Sequence, residues 1–264
     1  MYIKHCKLSR NKQLELMKYF VAGSTARTAA DLAAVHRNTA IRFFHKLREK
    51  IALQQQDHIE RFCGKVELDE SYFGGHRKGK RGRGAAGKVI VFGLLKRGGK
   101  VYTVSVSNVQ RKTLLPVIRQ KIKPDSVVYT DGHTAYNALD VSEFMHFRVN
   151  HSREFVRDRN HINGIENFWG IAKVRLAKFR GIHKSHVYLH IKESEFRFNF
   201  RDKNNLKQLW FTTWQNFDFG KELDTKMGSK SESRRKERRV GRDDTEYYYE
   251  RRTTKGNLRV SGWY

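Results

Sequence analysis

Cysteine is nearly absent from this chain of 264 residues: Cys6 and Cys63 stand far apart, and no Cys-x-x-Cys pair occurs. That scarcity excludes a disulfide framework and a zinc ribbon, and leaves both residues as free thiols. No apolar run approaches the roughly 20 residues needed to span a bilayer. No signal-peptide pattern is found either, so cytoplasmic residence is expected. Acid is scarce as well. Asp and Glu number 27 against 54 Lys and Arg, a formal net charge of +27. A field of that sign repels basic proteins and attracts polyanions, nucleic acid first among them. The excess is not confined to one end, because residues 226–264 carry 12 basic and 6 acidic side chains and the first 225 residues keep +21. Aromatic residues, at 12 %, supply material for a real core.

What is present falls into sections. Residues 11–50 read as three short helices, Asn11 to Val21, Thr25 to Ala34 and Asn38 to Lys50, broken at Gly23 and at His36-Arg37. Leu14, Met17, Phe20 and Val21 keep helical spacing, as do Ile41, Phe44 and Leu47. Ala29, Ala30, Ala33 and Ala34 permit the close approach of a helix-turn-helix. Asn38 or Thr39 is the expected N-cap of the third helix. The exposed face of that helix offers Arg37, Asn38 and Arg42, residue types suited to base edges and phosphates. A helical hairpin packed on a larger domain is the plainer alternative.

From Val66 the period changes to that of strands: Val66–Phe73, Lys88–Leu95 and Val101–Ser107, the last two joined at Gly98-Gly99. An amphipathic helix over Arg111–Ile122 is closed by Pro124. A strand at Ser126–Thr130, a short helix at Thr134–Leu139, a strand at Phe144–Val149 and a long helix from Asn163 to Arg180 follow. The expected fold is α/β, a mixed sheet with flanking helices, preceded by a small all-α helix-turn-helix domain. Expected boundaries are 1–55 for the DNA-binding domain, 60–201 for the α/β domain, 202–225 for a docking helix and 226–264 for a disordered charged tail.

Three acids stand out in this basic background. Asp69 lies in a strand, Asp131 ends an apolar run, and Glu166 opens a helix. A carboxylate at such positions is costly to bury unless it meets a cation. Together the three suit hard divalent ions working beside phosphate. Glu67 shares the strand face of Asp69 and competes with it, whereas Glu70 points the other way. Glu166 and Asn167 are adjacent, and either serves as the third ligand. Lys173, two helical turns beyond Glu166 on the same face, is placed to hold DNA phosphate or to stand as a solvated charge. Ile165, Phe168, Trp169, Ala172, Leu176 and Phe179 form the buried stripe of that helix.

The loop 74–88 contains a near match to a P-loop from Gly82 to Gly87-Lys88, but Val89 replaces the required Ser or Thr and a strand follows instead of a helix. A basic loop touching DNA phosphates through Arg77, Lys78, Lys80 and Arg81 fits better. His133, His151 and His161 match no zinc spacing.

Asp-Glu-Ser-Tyr-Phe-Gly-Gly at 69–75, Tyr-Thr-Asp-Gly at 129–132 and His-Ile-Asn-Gly-Ile-Glu-Asn-Phe-Trp at 161–169 resemble the integrase-type catalytic domain of ISXO-like insertion-sequence transposases. The motifs stand in family order over residues 10–200, with 34 residues between Asp131 and Glu166. The resemblance implies a ribonuclease-H-like fold, with Asp69, Asp131 and Glu166 as the acidic triad. Some relatives carry Asn as the third residue, which keeps Asn167 in view. Longer relatives have an N-terminal zinc ribbon that this chain lacks. The implied activity is DNA cleavage and strand transfer at element ends with two Mg²⁺ ions, Mn²⁺ substituting. Asp69 would bridge the two ions, with Asp131 and Glu166 each completing one shell. Implied partners are double-stranded DNA and further copies of the chain, as a dimer or larger synaptic assembly. A helix-turn-helix regulator without catalysis, or a ribonuclease-H-like nuclease without strand transfer, would share parts of this pattern.

Overall fold

A computed structural model describes residues 7–57, 61–74, 87–132, 136–137, 143–149, 161–179 and 181–201. Contacts divide the chain into two compact units, with the boundary between Leu47 and Arg48.

In the first unit, helix α1 (Arg10–Val21) starts where the Ser9 hydroxyl accepts the Lys12 N–H at 3.4 Å. It stops before Gly23, whose φ of +80° is a conformation that glycine adopts without strain. Thr25 caps α2 (Ala26–Leu32) in the same way, accepting from Thr28 N–H at 3.2 Å. Helix α3 (Arg37–Asp57) begins one residue ahead of the expected start. The cap is therefore neither Asn38 nor Thr39: His36 fills the role, its Nδ1 accepting the Asn38 N–H at 3.3 Å. Phe20 and Phe44 meet edge to face with centroids 4.9 Å apart, and Leu16, Met17, Ala29, Ala30 and Leu47 are buried. The small alanines let the helices approach closely, as their spacing predicts. Helix α3 also runs seven residues past the expected end at Lys50, with Ile51 and Ala52 buried.

The second unit is built on a five-stranded sheet in the order β3-β2-β1-β4-β5. The strands are β1 (Lys65–Phe73), β2 (Val89–Lys96), β3 (Val101–Val106), β4 (Val127–Thr130) and β5 (Met145–Arg148). The first three form an antiparallel meander, while β4 and β5 lie parallel to β1 on its other side. Alternation sorts the side chains onto two faces. Val66, Leu68, Phe92, Leu94 and Val128 pack with Leu114 and Ile118 of α4 (Arg111–Lys121). Phe73, Val91, Leu95 and Tyr129 pack with Ile165, Phe168 and Trp169 of α5 (Asn163–Ala177) and with Ile191 of α6 (Lys184–Asn199). The mixed sheet with helices on both faces, preceded by N-terminal helices, is the expected fold.

Helix α6 has no counterpart among the expected helices. Its centre, Lys192-Glu-Ser-Glu195, is buried throughout, which erases the polar stripe that a surface helix would show. Partners satisfy those charges. Glu195 accepts from Lys192 Nζ at 2.9 Å and from Thr103 N–H at 2.8 Å, and Glu193 accepts from Arg48 Nε at 2.8 Å and from Arg175 and Arg197. The amide of Asn199 closes the start of the edge strand β3, with Oδ1 2.7 Å from Val101 N and Nδ2 2.9 Å from Val101 O. Of the expected short helix at 134–139, only Tyr136 and Asn137 are described, and they form one tight turn. The expected docking helix at 202–225 and the tail at 226–264 lie outside the described residues. Among the described residues no helix is long and apolar enough to cross a membrane.

Candidate active site

Strand alternation decides which acids can meet. Glu67, Asp69 and Phe73 share the β1 face that looks toward α5, while Glu70 lies on the α4 face. In the parallel pairing of β1 with β4, Glu67 stands opposite Tyr129. Continued two residues along each strand, that register sets Asp131, just past the carboxyl end of β4, beside Asp69 in the middle of β1. Glu166, in the first turn of α5, completes the group from above the same face. Asp69 and Asp131 are half-buried, and Glu166 and Asn167 are exposed.

The electrostatics record this meeting. The Asp69 carboxyl is pushed up to about 7 by burial first, then by the neighbouring Glu70 charge and, further out, by Asp131 and Glu166. Asp69 thus feels two acids that stand 62 and 97 positions further along the sequence. Among the described residues no three His, Cys, Asp or Glu side chains are already drawn together as a coordination sphere. The donor set nevertheless fits a hard cation. All the donors are carboxylate oxygens, and their mutual repulsion is what a divalent ion would relieve.

The two competing acids of β1 have other work. Glu70 is buried against Tyr136, whose hydroxyl donates to it at 2.8 Å. Burial and this carboxylate raise the Tyr136 hydroxyl well above its ordinary range. Glu67 accepts the Ile165 N–H at 2.9 Å and the Arg97 Nε–H at 2.8 Å. It serves as a cap delivered from a strand to a helix whose own cap residue, Ile162, offers no side-chain acceptor. Gly164 makes the approach possible, since a Cβ there would stand 2.8 Å from Glu67 Oε2.

Arg37, Asn38 and Arg42 are all exposed on the first turns of α3. Lys173 is exposed on α5 and borders a groove of about 360 Å³ shared with Tyr72, Phe73, Gly170 and Val174. Arg77, Lys78, Lys80 and Arg81 lie outside the described residues, as do His133 and His151. His161 stands beside Glu67, its Nδ1 3.5 Å from Glu67 Oε1. Sequence reasoning missed Arg97 and the helix-capping use of Glu67. The signal available was an acid two places before Asp69 on the same buried face, with a cation at the end of the next strand.

Residues 61–199, more than half of the chain, match the ISXO2-like transposase domain family. The chain is 62 % identical over 100 residues to an uncharacterized transposase-like protein of Haemophilus influenzae, a stretch covering 38 % of this chain and 81 % of that one. It is 27 % identical over 158 residues to an uncharacterized protein in transposable element ISH50 of Halobacterium salinarum, 53 % of each chain. The chain belongs to the ISXO2-like family of DDE transposases.

Proposed function

We propose that this transposase cuts and joins DNA at the ends of its element, using Asp69, Asp131 and Glu166 to hold two Mg²⁺ ions. The observation that carries the reading is the Asp69 carboxyl, pushed up to about 7 at the meeting point of three acids from two parallel strands and a helix. Bound there, the ions would supply Lewis acidity for an in-line displacement at phosphorus by water or by a DNA 3′-hydroxyl. The protein's part is to give up the Asp69 proton, hold three carboxylates in fixed relation, and steer phosphate to them. Lys173, two turns beyond Glu166 on the same face of α5, would contact the DNA backbone next to the reacting phosphodiester. Arg37, Asn38 and Arg42 on α3 would read the element ends from the major groove as a helix-turn-helix does. The net charge of +27 supports a double-stranded DNA partner. Joining two ends to one target calls for a dimer or larger assembly.

The test is cleavage of DNA carrying element ends, and joining of pre-cut ends, by the full chain and by Asp69→Asn and Asp131→Asn. Both variants should lose Mg²⁺-dependent cleavage while binding DNA as tightly as the parent. Near-normal cleavage by either variant removes the site assignment. Cleavage without joining by the parent makes the protein a nuclease, and binding without either makes it a regulator.

A further inference from the structure

Beneath the three acids lies a second, buried constellation. Glu67 is 1 % exposed and pairs with Arg97 at 2.8 Å. The Arg97 guanidinium lies 3.8 Å from the centroid of the Tyr129 ring and also donates to the backbone carbonyl of His161. The Arg97 N–H donates to Lys65 O at 3.0 Å, which seats the turn after β2 on the start of β1. The other oxygen of Glu67 takes the Ile165 N–H at 2.9 Å.

Three of these residues stand one or two positions from a different member of the triad. Glu67 is two residues before Asp69 on the same face of β1, Tyr129 is two residues before Asp131 on β4, and Ile165 immediately precedes Glu166 on α5. We propose that Glu67 and Arg97 form a positioning pair that fixes the three carboxylates relative to one another, and so sets the affinity of the site for divalent metal. The inference rests on the metal-holding role given above to Asp69, Asp131 and Glu166.

A stability role alone explains the pair poorly. Burying two charges is repaid only when the geometry and extra hydrogen bonds are good, and apolar residues of similar volume often do as well or better. Such a replacement would tie none of the three segments together. Arg97 suits the task because its planar fork can pair with a carboxylate, reach a carbonyl and stack on a ring at once, which a lysine cannot. Glu67→Gln has one oxygen to offer: kept for the Ile165 N–H, it turns the amide NH2, a donor, toward the Arg97 donors. With Arg97 itself 17 % exposed, the guanidinium can then turn outward and release Tyr129.

The experiment uses the full chain without DNA, titrated with Mn²⁺ by electron paramagnetic resonance, alongside cleavage measured against Mg²⁺ at saturating DNA. Glu67→Gln and Arg97→Lys should each weaken Mn²⁺ binding about tenfold, the low end for residues that orient metal ligands. The Mg²⁺ needed for half-maximal cleavage should rise by a similar factor, excess Mg²⁺ should restore most of the rate, and DNA affinity should stay within about twofold. A merely structural role would lower the melting temperature and the active fraction while leaving the Mn²⁺ midpoint in place. If both variants bind Mn²⁺ like the parent while Asp69→Asn does not, the positioning pair is wrong and the metal site stands. If Asp69→Asn also binds like the parent, both ideas fall. Should Glu67→Gln not fold, the same titrations on Arg97→Lys decide.

Discussion

The Trp169 indole lies directly over Gly93, where a Cβ would come within 2.5 Å of Cζ2 and 3.0 Å of Ile165 Cδ1. Gly93 is the residue paired across the sheet with Asp69, so the bare backbone at this point sets how close α5, and with it Glu166, comes to the sheet. Gly93→Ala should therefore destabilise the protein by roughly 1–3 kcal/mol, as overpacking does. It should also reduce cleavage on the order of 10²-fold, because small displacements of reacting groups are that costly. Urea denaturation and a cleavage time course check both. Parent-like values in the two assays would mean that the indole turns aside without moving the helix.

This contact also shows where the sequence stops being legible. The acids, the strand alternation around Asp69 and the buried stripe of α5 are local patterns, and each expected element from Val66 to Ala177 whose residues are described stands within three residues of its place. The Glu67 cap on Ile165 is a contact across 98 positions: the buried acid and the cation at Arg97 are local signals, but the helix they meet is not. Helix α6 was hidden for a related reason. Lys192, Glu193 and Glu195 break the apolar stripe of the helix, and they are buried because Arg48 and Arg175 from α3 and α5, Thr103 from β3 and Arg197 of α6 itself pair with the two acids. The His36 cap escaped because histidine is an uncommon acceptor at that position.

The raised Asp69 carboxyl makes a pH prediction for the metal-free protein. Unfolded, the group loses its proton near 3.8, whereas folded it keeps it to about 7. Between those values the native state binds the extra proton, so Asp69 stabilises the fold at low pH and that contribution is lost as pH rises through about 7. Asp69→Asn should match the parent near pH 4 and become the more stable of the two by pH 7.5, on the order of 2–4 kcal/mol. Thermal melts in a chelator across that range measure the difference. Adding Mg²⁺ should restore the parent at neutral pH and leave the variant unmoved. A pH-independent gap would show that the Asp69 charge is not strained in the fold.

Glu166→Gln should cost far more cleavage than Asn167→Ala. Glu166 is the neighbour whose charge reaches Asp69, and a hard divalent ion gains more from a charged oxygen than from an amide. We expect loss of at least 10²-fold for Glu166→Gln, as for loss of a group that touches the reacting centre, and a rate within about tenfold of the parent for Asn167→Ala, as for a residue that only supports such a group. Single-turnover cleavage at saturating DNA compares them. The reverse order would hand the third ligand to Asn167.

Glu193 is the carboxylate that Arg48, Arg175 and Arg197 share. Burial alone would push its carboxyl up, but the three guanidinium groups hold it far below the usual range. Glu193→Gln leaves those cations facing one another away from water, so it should destabilise the fold by about 3–5 kcal/mol, the cost of breaking a buried pair from one side. Chemical denaturation reads the loss. A change under 1 kcal/mol would mean that the arginines relax to solvent freely.

DNA binding should be steeply salt-dependent, because a protein that neutralises about six to ten phosphates loses on the order of 10³ to 10⁵ in affinity between roughly 50 and 200 mM salt. Within that general attraction, Arg42 has a narrower task. It is exposed on α3 one turn beyond Asn38, a spacing that puts both on one face of the helix. If it reaches base edges, Arg42→Ala should lower the preference for element ends by about 1–3 kcal/mol and leave affinity for unrelated DNA almost unchanged. If it holds only phosphate, affinity should fall equally for every sequence and the salt slope should shrink by about one. Competition binding with end-containing and scrambled duplexes at two salt concentrations separates these outcomes, and the second would move sequence reading away from this face of α3.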